Sequence, residues 1–245
     1  MLQRLKPAAR AARNFIYQIA YRGTGRWCPL CDTETRRFRP FGVDERREQA
    51  MCVHCGALER HRLIWLFFER QTDLFTLPPK RMLHIAPEPC EERIRRRVGA
   101  GYVSADLADP TVDVRCDVAR IPYPDGWFDA VYCSHVLEHV ADDRQAMREL
   151  RRVLAPHGYA VLLVPITAAE TFEDPTITAP RDRLRAFGQE DHVRRYGPDF
   201  VDRVRESGFD VRVVRARDIA TPPEISTMGL DATGEIFLAT KRPLL

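Results

Sequence analysis

The stretch that most constrains the fold is DVARIPYPDGWFDAVYCSHVLEHV, at residues 117–140. Within it, Phe128–Tyr132 is a short run of apolar, β-branched and aromatic residues that follows a Pro-Asp-Gly turn. A short apolar run bounded by turn residues predicts a buried strand of a parallel sheet. The next residues, Cys133–His135, are then expected at the edge of the sheet where open α/β proteins bind ligands.

Other segments predict further strands and helices of the same sheet. Arg81–Ala86 and Tyr102–Asp106 are short apolar strands, and an Arg-rich helix is expected between them. A helix is expected to be entered at His135–His139, to carry apolar residues at helical spacing and to stop at Gly158, and Tyr159–Pro165 is then a buried strand. This alternation of strands and helices predicts an α/β fold with a doubly wound, mostly parallel sheet.

Length and composition allow one such domain and a small additional module. The chain has 245 residues, of which 44% are hydrophobic, and this is enough for a sizeable core. Its apolar runs are much shorter than the ~20 residues that span a bilayer. The basic N-terminal stretch lacks the apolar core of a secretory signal. We therefore expect a soluble, cytoplasmic protein with no membrane partner.

Positive charge is concentrated in the N-terminal part of the chain. Residues 1–70 contain 14 Lys and Arg against 7 Asp and Glu, whereas the rest contains 24 against 28. A basic region of this kind is typical of nucleic-acid binding, and equally of a solvated surface. Composition alone leaves both interpretations open.

Four cysteines form two CxxC pairs, Cys28 with Cys31 and Cys52 with Cys55, separated by 20 residues. This spacing is typical of a zinc ribbon, because a two-residue gap lets one tight turn direct both thiolates at a tetrahedral ion. Iron is the main competitor. A disulfide is disfavoured in a reducing cytosol, and a redox CxxC would not require two copies. Four thiolates fill the coordination sphere, so the zinc is expected to be structural.

These features divide the chain into a basic N-terminal helix over 1–26, a zinc-ribbon-like module over 27–57, a connecting helix and linker over 58–80, and a main domain over 81–245. The connecting helix, expected over Ala57–Gln71, carries Arg60, His61 and Arg62, which are expected to form a charged rim, with contact to a substrate as the alternative. Residues 166–200 lack apolar periodicity and predict a functional lid insertion, since long loops in compact domains usually carry function.

Residues 117–140, together with RELRRVLAPHGYAVLLVP, resemble class I S-adenosylmethionine-dependent methyltransferases of the type 11-like group. The resemblance implies a seven-stranded Rossmann-like sheet with S-adenosylmethionine as the cofactor. The cysteine-rich head, LERHR, LHIAPE and FGQEDHVRRYG together resemble bacterial methyltransferases that carry such a head. One departure concerns the loop after the first strand, which lacks the family's glycines and contains two prolines.

The resemblance assigns cofactor-binding roles along the strand ends. Asp106 would accept the ribose hydroxyls, at the offset where dinucleotide-binding folds place an acid; the alternative is that it caps the turn beginning at Leu107. Asp117 would accept the adenine amino group and Val118 would offer its backbone amide. The other residues implied are Ala86 in place of the first glycine, Glu88 near the cofactor's ammonium group, His84 as a hydrogen-bonding or core residue, Leu107, Ser134 and His135.

His192 lies where related small-molecule methyltransferases place a histidine above the cofactor. Histidine suits the role of a base because its ordinary pKa is near neutrality. We predict that His192, Asp191 and Glu173 deprotonate and orient the acceptor. The alternative is that His192 only attaches the lid to the following helix.

The expected function is methyl transfer from S-adenosylmethionine to an oxygen or nitrogen of a small molecule or a peptide. One alternative is an RNA methyltransferase of the ribosomal type, which would use the basic zinc head. A second alternative is a non-catalytic module that binds a cofactor or a protein. The sequence pattern specifies neither the acceptor nor the oligomeric state.

Overall fold

A computed structural model describes residues 15–42, 46–78 and 80–241. These residues divide into two compact units. Unit 1 holds the residues up to Asp73 together with Glu88–Arg96 and Ala216–Thr233. Unit 2 holds Leu74–Pro87, Arg97–Arg215 and the described residues from Gly234 onward. Two segments from within the predicted 81–245 domain thus group with the residues of the head.

The regular elements of the described residues are as follows. The strands are β1 (Arg26–Cys28), β2 (Thr33–Thr35), β3 (Arg39–Phe41), β4 (Arg47–Met51), β5 (Met82–Ile85), β6 (Tyr102–Asp106), β7 (Val114–Arg115), β8 (Phe128–Ser134), β9 (Leu154–Leu163), β10 (Phe172–Glu173), β11 (Arg194–Arg195), β12 (Asp210–Val214) and β13 (Ile236–Thr240). The helices are α1 (Glu59–Gln71), α2 (Glu92–Val98), α3 (Asp143–Val153), α4 (Pro180–Phe187), α5 (Phe200–Glu206), α6 (Ala216–Ile219) and α7 (Pro222–Met228). None of the helices among these residues is long and apolar enough to cross a bilayer.

Unit 1 contains two antiparallel hairpins followed by helix α1. The first hairpin pairs β1 with β2, and the second pairs β3 with β4. Of the basic helix predicted over 1–26, residues 1–14 lie outside the described residues, residues 15–20 are helical, and Arg26 already begins β1.

Helix α1 is buried on more than one side, and its first turn carries buried charged residues. Arg62 is completely buried and donates hydrogen bonds to four carbonyl oxygens, those of Ala50, Ala57, Met228 and Gly229, at 2.6–3.0 Å. The expected charged rim is therefore wrong for Arg62, which joins four separate points of the unit 1 backbone. Its planar guanidinium suits this task because it presents five donors in a fixed geometry.

The framework of unit 2 is a seven-stranded sheet in the order β12-β13-β9-β8-β5-β6-β7. Strand β13 runs antiparallel to both neighbours, and the strands from β9 to β7 pair in parallel. This arrangement confirms the predicted doubly wound, mostly parallel sheet and the Rossmann-like fold of class I methyltransferases. Strand order reverses at β5, because the chain adds β6 and β7 on one side and then crosses to β8 on the other.

The central strands are buried on both faces. Leu83 and Ile85 of β5 belong to the main apolar core, while Met82 and His84 on the opposite face are also fully buried. Helix α3 packs on the core side through residues such as Met147 and is capped by Asp142, whose Oδ1 accepts from the amide of Gln145 at 2.8 Å. Helix α3 therefore covers one face of the sheet, and open α/β sheets bind ligands at the ends of their strands.

Candidate active site and metal-ligand clusters

Strands β5, β6, β7 and β8 of unit 2 are parallel, so they end at one edge of the sheet, here named the carboxyl edge. Ile85, the last residue of β5, pairs with Ala105 of β6 and with Cys133 of β8. The residue after β5, Ala86, is therefore next to the ends of both neighbouring strands, at the point where strand order reverses. Open α/β sheets bind ligands at this point.

Two residues at this edge have a backbone conformation that is rare outside glycine. Ala86 follows β5 with φ 51°, and His135 follows β8 with φ 54°. Their amides bond to neighbouring strands, that of Ala86 to the carbonyl of Ala105 at 2.7 Å and that of His135 to the carbonyl of Leu163 at 2.9 Å. A non-glycine residue in the left-handed region costs about 1–3 kcal/mol, and such strain clusters at functional sites. The position of Ala86 agrees with its sequence assignment in place of a glycine.

His84 lies inside the sheet rather than at its edge. Its side chain is completely buried, and Nδ1 is 2.8 Å from the hydroxyl of Tyr102. Its ring centroid lies 4.5 Å from that of Tyr132. Both interpretations offered for His84 apply, since it is a core residue that also makes a hydrogen bond.

Asp106 ends β6 and caps the turn that follows. Its Oδ1 accepts hydrogen bonds from the amides of Ala108 and Asp109, at 2.7 and 2.8 Å. The capping alternative is thus present in the structure. The cap uses only Oδ1 of Asp106, so Oδ2 can still contact a ligand. Leu107, within the turn, is 67% exposed.

Asp117 follows β7 in a similar arrangement. Its Oδ1 accepts from the amide of Ala119 at 2.8 Å, and its side chain is exposed. Val118 is buried in the main core of unit 2, which fixes the backbone beside this acid. Ser134, the last residue of β8, is half-buried at the same edge. The roles of these residues toward a cofactor stay predictions.

Glu88 belongs to unit 1 and is held there by the start of helix α1. Its Oε1 lies 2.5 Å from Nη2 of Arg60 and 2.9 Å from Nε2 of His61. Burial opposes ionisation of Glu88, but the hydrogen bond from His61 and the charge and hydrogen bond of Arg60 outweigh it and lower the pKa of Glu88 to about 2. Nδ1 of His61 accepts from the amide of Leu58, so Nε2 carries the proton given to Glu88. The carboxylate predicted to meet an ammonium group is thus already paired.

His192 and Asp191 both lie beside His139. The rings of His192 and His139 are 4.6 Å apart, edge to face. Oδ2 of Asp191 is 3.3 Å from Nδ1 of His139. His192 is 6% exposed, and burial, followed by the neighbouring His139 charge, lowers its pKa below the usual value. His192 is therefore a neutral imidazole at pH 7.

Glu173, the third predicted catalytic residue, is paired within a different network. Its carboxylate accepts from Arg194 at 2.9 Å and from Arg203 at 2.6 Å. Burial raises its pKa, but hydrogen bonds from the two arginines prevail and lower the pKa to about 2. Asp143 also pairs with Arg203, at 3.0 Å. Through these ion pairs Glu173, in β10, connects to Arg194 in β11 and to Arg203 in α5. The segment predicted as a lid therefore contains regular secondary structure.

In unit 1, the four cysteines of the CxxC pairs meet in one cluster. Their sulfur atoms all lie within 4.8 Å of one another. The Cys28–Cys55 and Cys31–Cys52 sulfur distances are 3.7 and 3.8 Å. Thiolates bound to one zinc ion by bonds of ~2.3 Å lie ~3.8 Å apart at the corners of a tetrahedron. The cluster therefore fits a tetrahedral metal ion, and all four cysteines are free thiols.

The two CxxC pairs adopt the same turn. The amide of Asp32 donates to the carbonyl of Cys28 at 2.8 Å, and that of Gly56 donates to the carbonyl of Cys52 at 3.0 Å. Both donor residues have positive φ, 55° for Asp32 and 80° for Gly56. The first turn connects β1 to β2 and the second follows β4, so the two hairpins position the thiols. This repetition of local geometry is what the equal spacing of the pairs predicts.

Part of this chain matches a known protein family. Residues 88–162 match the model of a methyltransferase domain. This match covers α2, β6, β7, β8, α3 and most of β9, and so includes Asp106, Asp117 and His135. It excludes the four cysteines, Ala86 and His192.

Several curated methyltransferases are similar to parts of the chain. Demethylmenaquinone methyltransferase of Thermus thermophilus is 34% identical over 103 residues, covering 35% of this chain and 47% of that protein. The 27-O-demethylrifamycin SV methyltransferase of Amycolatopsis mediterranei is 32% identical over 103 residues, covering 40% and 35%. The chain thus spans less than half the length of these relatives. The solved 1,6-didemethyltoxoflavin-N1-methyltransferase of Burkholderia thailandensis shares 14% identity with a TM-score of 0.45, covering 74% of this chain and 76% of that one.

Two residues to which the sequence assigned no site role, Glu138 and His139, lie beside the predicted catalytic residue His192. Glu138 and His139 form a cluster with His192, in which one donor atom from each lies within 4.8 Å of the others. Glu138 is 1% exposed. No local spacing could indicate this cluster, because His192 follows His139 by more than 50 positions. The HVLEH motif places an acid and a histidine side by side, which is the one available signal.

Proposed function

We propose that the chain is an S-adenosylmethionine-dependent methyltransferase whose acceptor is an oxygen or nitrogen atom of a small molecule or a peptide. The observation that carries this proposal is the carboxyl edge of unit 2. Left-handed residues follow both β5 and β8 there, and Asp106 ends the strand on the other side of β5. The methyltransferase-domain match over 88–162 supports it.

The residues of the edge can hold such a cofactor. Asp106 offers a carboxylate for the ribose hydroxyls while its Oδ1 keeps the turn in place. The exposed carboxylate of Asp117 and the amide of Val118 offer an acceptor and a donor for the adenine ring. The positive φ of Ala86 turns the chain sharply after β5, which permits close approach of a ligand to the backbone. When bound, the cofactor supplies an electrophilic methyl group and leaves as S-adenosylhomocysteine.

The acceptor requires in-line placement and, when it carries a proton, a base. His192 is neutral at pH 7, so it has an unshared pair on one ring nitrogen for that proton. Asp191 lies beside His139 and is exposed. Glu173 is bound to two arginines, and its contribution is to position the segment that carries His192. The relatives named for menaquinone and rifamycin precursors support a small-molecule acceptor.

We also infer that the four cysteines hold a structural zinc ion. The sulfur–sulfur distances support a tetrahedral site, and four thiolates leave no position for a substrate. Arg93 donates to the carbonyl of Pro29 within the first turn at 2.8 Å, which supports the loop that carries Cys28 and Cys31.

The RNA alternative depends on the basic head. Some head arginines lie over aromatic rings of unit 1, such as Arg39 at 3.6 Å from the ring centroid of Tyr17. Arg36 and Arg37 are exposed, and Arg37 also lies 5.0 Å from the ring centroid of Tyr21. Salt-dependent binding of RNA would favour this alternative, since phosphate contacts weaken steeply with salt.

Calorimetric titration of the zinc-loaded protein with S-adenosylmethionine and S-adenosylhomocysteine tests the main proposal. We expect micromolar binding at one site per chain. Absence of binding to a folded, zinc-loaded sample would contradict the proposal and favour the non-catalytic alternative. Binding without methylation of RNA in the same preparation would separate the small-molecule class from the RNA class.

A further inference from the structure

The cluster of Glu138, His139 and His192 in unit 2 has the composition of a metal site. Each residue offers one donor atom, and the three atoms lie within 4.8 Å of one another. Three donor atoms bound to one metal ion by bonds of ~2.1 Å lie roughly 3.0–3.6 Å apart. An adjustment of about 1 Å or less brings the three atoms to these distances, and the half-exposed His139 ring can supply it.

Glu138 is a buried carboxylate with incomplete contacts. Its side chain is 1% exposed, and Oε1 lies 3.3 Å from Nδ1 of His135. Oε2 is buried and has no hydrogen-bond partner among the described residues. A buried carboxylate oxygen without a partner is costly, and a cation is the ligand that removes this cost.

The ring of His139 is oriented as metal-binding histidines usually are, and the ring of His192 lies beside it, edge to face, with the ring centroids 4.6 Å apart. Nδ1 of His139 lies 3.3 Å from the carboxylate of Asp191. Metal-binding histidines typically give one ring N–H to a carbonyl or carboxylate, which leaves the unshared pair of the other nitrogen for the metal.

We propose that Glu138, His139 and His192 bind one divalent transition-metal cation. Two imidazoles and one carboxylate suit Mn²⁺, Fe²⁺, Co²⁺ or Zn²⁺. Three protein ligands leave coordination positions open, so this site can accept a further ligand, whereas the four-cysteine site cannot. The half-exposed His139 gives solvent access to the site.

One consequence rests on the function proposed above. A metal ion at this cluster would bind the acceptor's hydroxyl or a chelating pair of oxygens and lower the pKa of that hydroxyl. In that metal-bound state His192 would be a ligand in place of the base proposed above, and the acceptor's proton would pass to solvent water at the half-exposed side of the site. Metal binding itself requires neither the cofactor nor methyl transfer.

The test is a titration with Mn²⁺ of protein that holds one zinc ion per chain by metal analysis, in which free Mn²⁺ is measured by electron paramagnetic resonance. Mn²⁺ prefers oxygen and imidazole to thiolate, so the cysteines do not compete for it. We expect one saturable site per chain in the absence of S-adenosylmethionine. A parallel titration with Co²⁺ is expected to give a visible spectrum without thiolate charge-transfer bands.

Two variants and one control make the assignment specific. Glu138→Gln retains the shape of the side chain, and His139→Ala shortens a half-exposed side chain. Neither substitution leaves a large cavity in the core, so both variants are expected to fold. Each is expected to weaken Mn²⁺ binding on the order of 100-fold, since even the loss of residues that support ligands costs 10–100-fold. His157→Ala, at an exposed histidine outside the cluster, is expected to bind as the unaltered protein does. Circular dichroism checks the folding of each variant.

Absence of saturable binding of both Mn²⁺ and Co²⁺ would overturn the proposal. Unchanged affinity in both folded variants would overturn it equally, because the ion would then lie elsewhere. Because binding is measured without cofactor or acceptor, failure of methyl transfer leaves this result unaffected, and failure of metal binding leaves the methyl-transfer proposal in place.

Discussion

The polar groups of unit 1 and those at the carboxyl edge of unit 2 are used in different ways. In unit 1, Arg62 donates to four carbonyls and Glu88 pairs with Arg60 and His61. At the edge of unit 2, Asp117 is exposed and Glu138 has a buried oxygen without a partner among the described residues. Polar groups bound inside the fold contribute to stability, whereas those left available at strand ends contribute to chemistry. Substitutions in unit 1 should therefore change folding, and substitutions at the edge should change binding.

The largest effect is expected from Cys52→Ser in the four-cysteine cluster. Structural zinc contributes roughly 10–16 kcal/mol of apparent binding free energy, and in small metal-binding modules this is folding free energy. We expect loss of the bound metal and of the cooperative unfolding of unit 1, measured by metal analysis and circular dichroism. Cys116→Ser, at a half-buried thiol of unit 2, should retain the metal. Full metal content in Cys52→Ser would show that the cluster is not the site.

Arg62→Met is expected to have the next largest effect. It removes the side-chain donor from four carbonyl oxygens, of which that of Ala57 keeps a hydrogen bond from the amide of Cys52 at 2.9 Å. Each of the other three buried groups left unpaired costs about 1–3 kcal/mol, so a loss of at least ~3 kcal/mol is expected. The measurement is the free energy of unfolding by urea. Arg96→Met, at an arginine of the same unit that is 77% exposed, should change it by less than ~0.5 kcal/mol. Equal effects of the two substitutions would contradict the structural role of Arg62.

Asp106→Asn tests the expectation that a substitution at the carboxyl edge of unit 2 changes ligand binding and leaves folding unchanged. An asparagine oxygen can still cap the turn after β6, but it loses the charge offered to the ribose hydroxyls. We expect affinity for S-adenosylmethionine to fall about tenfold, ~1.4 kcal/mol, with the melting temperature unchanged. Asp125→Asn, which precedes β8 at the opposite edge of the sheet, is the matched control. A lower melting temperature with normal affinity would assign Asp106 to the turn alone.

Glu173 lies in unit 2, but its carboxylate is paired with Arg194 and Arg203, as the polar groups of unit 1 are paired within their fold. Its folded-state pKa, about 2 against an ordinary 4.5, means that its stabilisation is present above pH 4.5 and is lost as pH falls through 2. The side chain is 37% exposed, so solvent screening limits the effect to about 1 kcal/mol. Glu173→Gln should be less stable than the unaltered protein at pH 7, with the difference shrinking toward pH 2 in urea titrations. A catalytic Glu173 would instead leave stability unchanged and abolish turnover.

The features that sequence predicts here are local ones. The equal CxxC spacing predicts two equal turns, and the acids after short apolar runs predict Asp106 and Asp117 at one edge. Burial of Arg62 was not predictable, because its partners Met228 and Gly229 lie far along the chain. The same holds for the cluster of Glu138 with His192 and for the pairing of Glu173 with Arg203. Periodicity reports which face of an element is buried, but it does not report which distant backbone or side chain meets that face.

The turn capped by Asp106 has a consequence for the rate and thermodynamics of ligand binding. Because two amides already hold Oδ1, the side-chain rotamer is fixed before a ligand arrives. Immobilising a free side chain on binding costs about 0.5–1.5 kcal/mol, and this cost is avoided at a preorganised carboxylate. Ligand association at this strand end should then proceed in one kinetic step. The observed association rate should rise linearly with ligand concentration, without the plateau that a slow ordering of the loop would produce.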